Sequence, residues 1–174
     1  MMKKYMCVLL LLTFATSCSK KGEKTILPNI VFFNVIDYYG EETEQAITFY
    51  DNKGNHYASS DAYVCSLELQ QLLTEFAEGK LNGKIEYHTS CNIEELMDNY
   101  QKLCSLGKDG CHIEYPDYSL DIEADRITWY GIYYDQNGEL EVVLLHERNA
   151  EGDHFADDER ANEIYRWYLS TFSQ

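Results

Sequence analysis

Three apolar stripes at helical spacing organise this chain. Leu69, Leu72, Leu73 and Phe76 recur at i, i+3, i+4 and i+7, so residues 66–78 are expected to form a helix with one buried face, closed by Gly79. A second stripe, Ile93, Leu96, Met97, Tyr100, Leu103 and Cys104, follows Asn92. Glu95 three residues on completes a capping-box pattern, and Gly107 marks the end. A third helix is expected to open at Asp157 or Asp158, with Ile164, Tyr165, Tyr168, Leu169 and Phe172 on one side. Asp157, Asp158 and Glu159 complement the positive end of its dipole.

Between the helices the pattern changes to runs of β-branched and aromatic residues. Residues 29–39 (NIVFFNVIDYY) read as a strand. Residues 46–50 and 56–59 flank DNKGN, a hairpin loop in which Gly54 suits a left-handed position, and residues 84–88 form a weaker strand. The strongest turn signal is Asn137-Gly138, the preferred pair for a two-residue type I′ turn. Counting outward from it pairs Gln136 with Glu139, Tyr133 with Val142 and Trp129 with His146. One face of this ribbon would hold Trp129, Gly131, Tyr133, Leu140, Val142 and Leu144, the other Tyr130, Ile132, Tyr134, Val143 and Leu145. Both faces are largely apolar, which predicts a ribbon covered on two sides. Helices interrupt the strands without alternating strictly with them. The expected fold class is therefore α+β, a mainly antiparallel sheet with a central hairpin packed with about three helices. At 174 residues the chain fits one such domain, assigned to residues 27–174.

The first residues follow a different logic. Lys3 and Lys4 precede YMCVLLLLTFAT, a run of about a dozen mostly apolar residues, whereas a membrane-crossing helix needs roughly 20. Residues 1–17 read as a signal peptide. The segment Ala15-Thr16-Ser17-Cys18 resembles the lipobox of bacterial lipoproteins, although that family usually has Leu where this chain has Ala15. The resemblance implies cleavage before Cys18 and acylation of its thiol, with two or more acyl chains anchoring the protein to a membrane. Small residues at Ala15 and Ser17 also suit ordinary signal-peptidase cleavage at the same bond. Residues 18–26 would then be the lipidated Cys and a polar tether. The tether is basic, which by the same resemblance favours the periplasmic side of a bacterial cell envelope.

Cysteine number bears on this address. Cys18, Cys65, Cys91, Cys104 and Cys111 remain after removal of residues 1–17, an odd set for an oxidising compartment. With Cys18 acylated, four are left and can close two disulfides. Pairing 104–111 with 65–91 is the preferred one of three connectivities, worth about 2.5 and about 3.5 kcal/mol by loop closure. The alternative for Cys104, which lies on an apolar stripe, is a reduced thiol that packs.

Charge narrows the partners. The chain has 14 Lys+Arg against 30 Asp+Glu, and loss of Lys3 and Lys4 leaves the mature form at −18. Phosphate backbones are held by clustered basic residues, so nucleic acid is not expected. Such a charge favours a soluble monomer and steers it toward cationic protein or small-molecule partners. Catalytic signals are thin. The five histidines form no HExxH pattern, adjacent Cys111 and His112 would point to opposite faces of a strand, and residues 151–159 lack the ligand spacing of an EF-hand loop. No cofactor, metal or catalytic residue is assigned. Fifteen tyrosines are the remaining oddity. Most are expected to line the core, and Tyr38, Tyr39, Tyr115 and Tyr118 are the candidates for partner contact.

Two functions fit. One is a membrane-tethered, extracytoplasmic binding domain, with an inhibitor or immunity role against a basic toxin as one form of it. The other is a hydrolase of envelope polymers that uses carboxylates. The address is directly testable: Cys18→Ala should abolish partitioning of the exported protein into the detergent phase, and unchanged partitioning would reject lipidation.

Overall fold

The computed structural model describes residues 27–38, 44–106, 125–150 and 152–172. Seven strands form one antiparallel sheet: β1 (Ile30–Tyr38), β2 (Glu44–Asp51), β3 (Asn55–Ser59), β4 (Glu86–Ser90), β5 (Arg126–Tyr134), β6 (Leu140–Asn149) and β7 (Gly152–Phe155). Their spatial order is β4-β3-β2-β1-β5-β6-β7, so β1 is the central strand. Helices α1 (Ala62–Cys65) and α2 (Leu69–Ala77) pack on one face, α3 (Ile93–Leu106) and α4 (Glu159–Phe172) on the other. The fold is α+β, as the sequence indicates.

Alternation along β1 and β2 builds both cores. Phe32 and Tyr50 join Leu96, Tyr100, Leu103, Ile164, Tyr165 and Tyr168 beneath α3 and α4. Phe33, Ile47 and Phe49 join Val64, Leu72 and Leu73 beneath α1 and α2. Each fully buried Leu, Ile or Phe side chain contributes roughly 1.5–3 kcal/mol of transfer free energy, so neither layer is dispensable.

Local signals explain most element ends. After α2, Gly79 takes φ +70°, its N–H donates to Phe76 O, and the Lys80 N–H donates to Glu75 O, which is a Schellman closure. Asn92 Oδ1 accepts the Glu94 N–H at 2.8 Å to open α3. The expected capping-box partner does something else: Glu95 Oε2 accepts the Trp167 indole N–H from α4 at 3.2 Å. The Asp158 carboxylate accepts the Arg160 N–H at 2.8 Å and so caps α4.

Two expectations are corrected. The helix expected from residue 66 starts at Leu69. Ahead of it Asp61 accepts the N–H groups of Tyr63 and Val64 and nucleates the separate turn α1. The hairpin turn is not type I′, because Gly138 has φ +81° while Asn137 does not enter the left-handed region. Asp135 and Glu139 close a longer turn through an Asp135 N–H to Glu139 O bond of 2.9 Å. Tyr133 consequently pairs with Glu141, not Val142. A one-residue slip flips the β6 side chains between the turn and a bulge, so Val143 and Leu145 share the α3/α4 side with Trp129 and Tyr133. Val142 lies on the opposite face and is 40% exposed, so the ribbon is fully covered on one side only. A bulge between Trp129 and Tyr130 restores the expected Trp129–His146 pair. Among the described cysteines, Cys65, Cys91 and Cys104 are free thiols. Cys65 packs in the α1/α2 layer and Cys91 in the α3/α4 layer, so the sheet separates the expected 65–91 pair. Cys111, and with it the 104–111 pairing, lies outside the described residues.

At Gly131 α3 packs tightly against the sheet. A Cβ there would lie 2.5 and 2.6 Å from the two methyls of fully buried Leu103. Gly131→Ala should therefore cost about 1–3 kcal/mol in urea unfolding. Adding Leu103→Ala should cost less in that background than in the parent, because the two groups compete for one space. Strict additivity would show that the contact does not constrain the helix.

Candidate functional site

The chain leaves the sheet after Ser59, and a cleft of about 390 Å³ opens there. Its volume falls in the range that holds small ligands or side chains of a partner. Ala46 and Ala58 contribute small side chains, Ser60 and Asp61 line the turn into α1, and Gly83, Lys84 and Glu86 close it from the run into β4. Hydrogen bonds fix the turn. Ser59 Oγ donates to Lys84 O at 2.7 Å and accepts the Asp61 N–H at 3.1 Å, tying the two walls together. Asp61 Oδ1 is engaged as the α1 cap.

Among the described residues, the one cation lining the cleft, Lys84, is turned onto an aromatic ring. Lys84 Nζ sits 3.6 Å from the Tyr63 ring centroid. The Tyr63 hydroxyl in turn donates to the Glu75 carboxylate at 2.7 and 2.8 Å, and Gln71 Nε2 donates to it at 3.0 Å. These neutral donors, Gln71 first and Tyr63 second, hold the Glu75 carboxyl below its ordinary range. Asp61 and Glu86 are absent from the ion pairs found among the described residues. The cleft therefore presents two carboxylates whose charge no neighbouring cation takes up.

Cys65 stands behind this wall, donating toward Gln45 O at 3.3 Å and Ser59 O at 3.8 Å. Burial first, and the Asp61 charge second, raise its pKa, so it is a thiol and not a thiolate at neutral pH. An apolar crevice of about 80 Å³ lies beside it, lined by Phe33, Val35, Ile47, Leu67 and Leu72 among others.

A second polar group collects on β3. His56 packs its ring 4.8 Å from that of Tyr50 and 5.7 Å from that of His88. Cys91 abuts Gly54, where φ is +83° and a Cβ would meet Cys91 O and Sγ at 3.2 Å. Burial pushes the Cys91 thiol up to about 11, again away from a nucleophilic form.

At the far end of the sheet His146, stacked 3.7 Å over Tyr165, places Nε2 3.0 Å from Asp153 Oδ1. Arg148 Nε and Nη2 donate to the same carboxylate at 2.7 and 3.2 Å, and hold the Asp153 pKa down. His146 is 0% exposed, so this trio fastens β7 to β6 and offers no ring edge to a substrate. In the acidic stretch ahead of and into α4, Asp153, Asp158 and Glu159 are paired with Arg148, Arg160 and Arg166. Asp135, Glu139 and Glu141 bring carboxylate oxygens within 4.8 Å of one another. Asp135 is there to close the hairpin, accepting N–H groups from Asn137 and Glu139 at 2.8 Å each.

Of the residues singled out from sequence, Tyr38 is 42% exposed at the end of β1 and does not line the cleft. Tyr39, Tyr115, Tyr118 and Cys18 lie outside the described residues. Five of the tyrosines, Tyr50, Tyr100, Tyr133, Tyr165 and Tyr168, are buried in the α3/α4 core as expected. Asp61, Lys84 and Glu86 went unnoticed. The available signal was Ser59-Ser60-Asp61 ahead of AYVC, a helix-start pattern. Compared with protein-family models, with curated proteins and with solved structures, the chain matches none.

Burial, and secondarily His88, lower the His56 pKa from 6.5 to about 4. The unfolded chain then binds more protons between those values, so stability should fall as pH drops from about 6.5 to about 4 and level off below. Thermal unfolding across that window checks it. His88→Ala should move the lower limit upward, and a flat profile above pH 4 would contradict the assignment.

Proposed function

We propose that the chain is an extracytoplasmic lipoprotein, anchored in a bacterial envelope membrane through Cys18, whose single domain is a binding module for a cationic partner. The observation that carries this proposal is the cleft at the β3 exit. Among the described residues its one lysine is laid on Tyr63 and no ion pair engages Asp61 or Glu86, in a chain whose charge after loss of residues 1–17 would be −18. A partner that brings an ammonium or guanidinium group gains charge-assisted contacts there without displacing an existing ion pair. The long-range field of the acid surplus raises its encounter rate. An inhibitor of a basic protein is one form that such a module can take. The basic tether after Cys18 supports placement on the periplasmic side. The thiols of Cys65 and Cys91 are both held in the protonated form, which favours binding over thiol chemistry.

Affinity capture from envelope extracts on the full chain carrying Cys18→Ala tests the proposal. One stoichiometric basic partner should be recovered, and its affinity should fall at least tenfold between 50 and 300 mM salt. Binding insensitive to salt, or turnover of a glycan panel with no partner recovered, would reverse it.

A further inference from the structure

We infer that the outer edge of β4 is a recognition edge that an extended, basic segment of the partner protein extends by strand addition. The inference rests on the cationic-partner reading above and assigns it a site and a mode. β4 is the terminal strand of the sheet on the side of the cleft, and all five of its residues, Glu86 to Ser90, are exposed. A terminal strand presents unpaired N–H and C=O groups, and proteins ordinarily blunt such edges with lysine, proline or a very short strand. The opposite edge is blunted. β7 has four residues, and Asp153 on it is clamped by Arg148 and His146. β4 contains neither Lys nor Pro. Its one irregularity is the bulge that leaves His88 without a register partner on β3.

Side chains on the two faces of β4 fit the same occupant. Glu86 stands opposite Ala58 and lines the cleft, so a basic side chain of an added strand meets an unpaired carboxylate on that face. Tyr87 stands opposite Tyr57 on the other face and is 59% exposed, with its ring 6.0 Å from that of Tyr57. An open tyrosine face is a platform for Lys or Arg. Main-chain bonds would supply affinity and the alternating carboxylate and ring would supply selection, the division of labour in β-augmentation. A second copy of this chain is the poorer occupant, because it would bring together two chains that each carry a net charge of −16.

The test uses the full chain carrying Cys18→Ala and two decapeptide probes, one alternating Lys and Val and one alternating Glu and Val. The Lys–Val peptide should bind at low salt and slow hydrogen exchange at least tenfold at alternate amides of β4, and the Glu–Val peptide should do neither. Glu86→Lys should weaken binding about tenfold with no change in thermal midpoint. His88→Pro, placed at the bulge outside the β3 register, should abolish the amide protection. Should His88→Pro fail to fold, the exchange pattern and Glu86→Lys decide the matter. Lys–Val binding with β4 amides unprotected and Glu86→Lys without effect would overturn strand addition while leaving the cationic-partner reading intact. No Lys–Val binding would also overturn strand addition, with the capture experiment still judging the broader reading. Concentration-dependent dimerisation that protects the same amides would assign the edge to a second copy and overturn the proposal.

Discussion

A central strand covered on both sides must hand alternate side chains to two different layers, and every other element here is placed by that demand on β1. Phe32 and Asn34 point to α3 and α4, Phe33 and Val35 to α1 and α2. The buried Asn34 would be costly without partners. Thr48 from β2 donates to its Oδ1, and the Tyr168 hydroxyl of α4 lies 3.0 Å from Thr48 Oγ1 and 3.4 Å from Asn34 Oδ1. Burial raises the Tyr168 pKa, so its hydroxyl keeps the proton needed to donate. Nearby the Tyr50 hydroxyl donates to Thr171 at 2.7 Å. Apolar contacts alone would tolerate a helix slid along the sheet. A satisfied polar cluster does not, because sliding strands a buried acceptor. Thus α4, last in sequence, is registered against the first strand.

The helical stripes were legible because burial in a layered fold is written in side-chain period. Leu72 and Leu73 are buried as spacing requires, and the same holds for Leu96, Tyr100 and Leu103. Hairpin register was not legible at that level. Asn137-Gly138 permits type I′, yet Asp135 accepts N–H groups from Asn137 and Glu139 and stabilises a longer turn. One side-chain hydrogen-bonding set therefore decides which face Val142 and Val143 occupy. Cysteine pairing was not legible for a related reason. Spacing along the chain says nothing about which side of a sheet a cysteine joins, and here the sheet intervenes. β7 went unread because its stabilisation is an ion trio between neighbouring strands, with almost no apolar alternation to announce it.

The cleft was harder still to see in the sequence. Its walls come from three separated stretches, at Ala46, at residues 58–61 and at residues 83–86. None of them carries a motif. Small residues, a helix cap and a lysine are common in any domain. What makes them a site is their convergence where β3 ends short of β2, together with the cation–π contact that removes Lys84 from competition. Asp61 has both a structural role, through Oδ1, and a place in the wall, so a helix cap and the cleft share one residue.

Net charge and local geometry act over different distances, and the division matters for specificity. At physiological ionic strength exposed charges are screened beyond about 8 Å, so the net charge of −16 would speed encounter with the proposed basic partner without selecting among such partners. On that proposal, selection would have to come from groups within contact distance, Asp61 and Glu86 in the cleft and Tyr87 on the other face of β4. Anchoring at Cys18, on the proposed address, would confine the domain near a membrane surface and raise its effective concentration toward any partner held there. A module of this kind does not need high intrinsic affinity. It needs a site that weak non-specific attraction can find and that only the right side-chain spacing can hold.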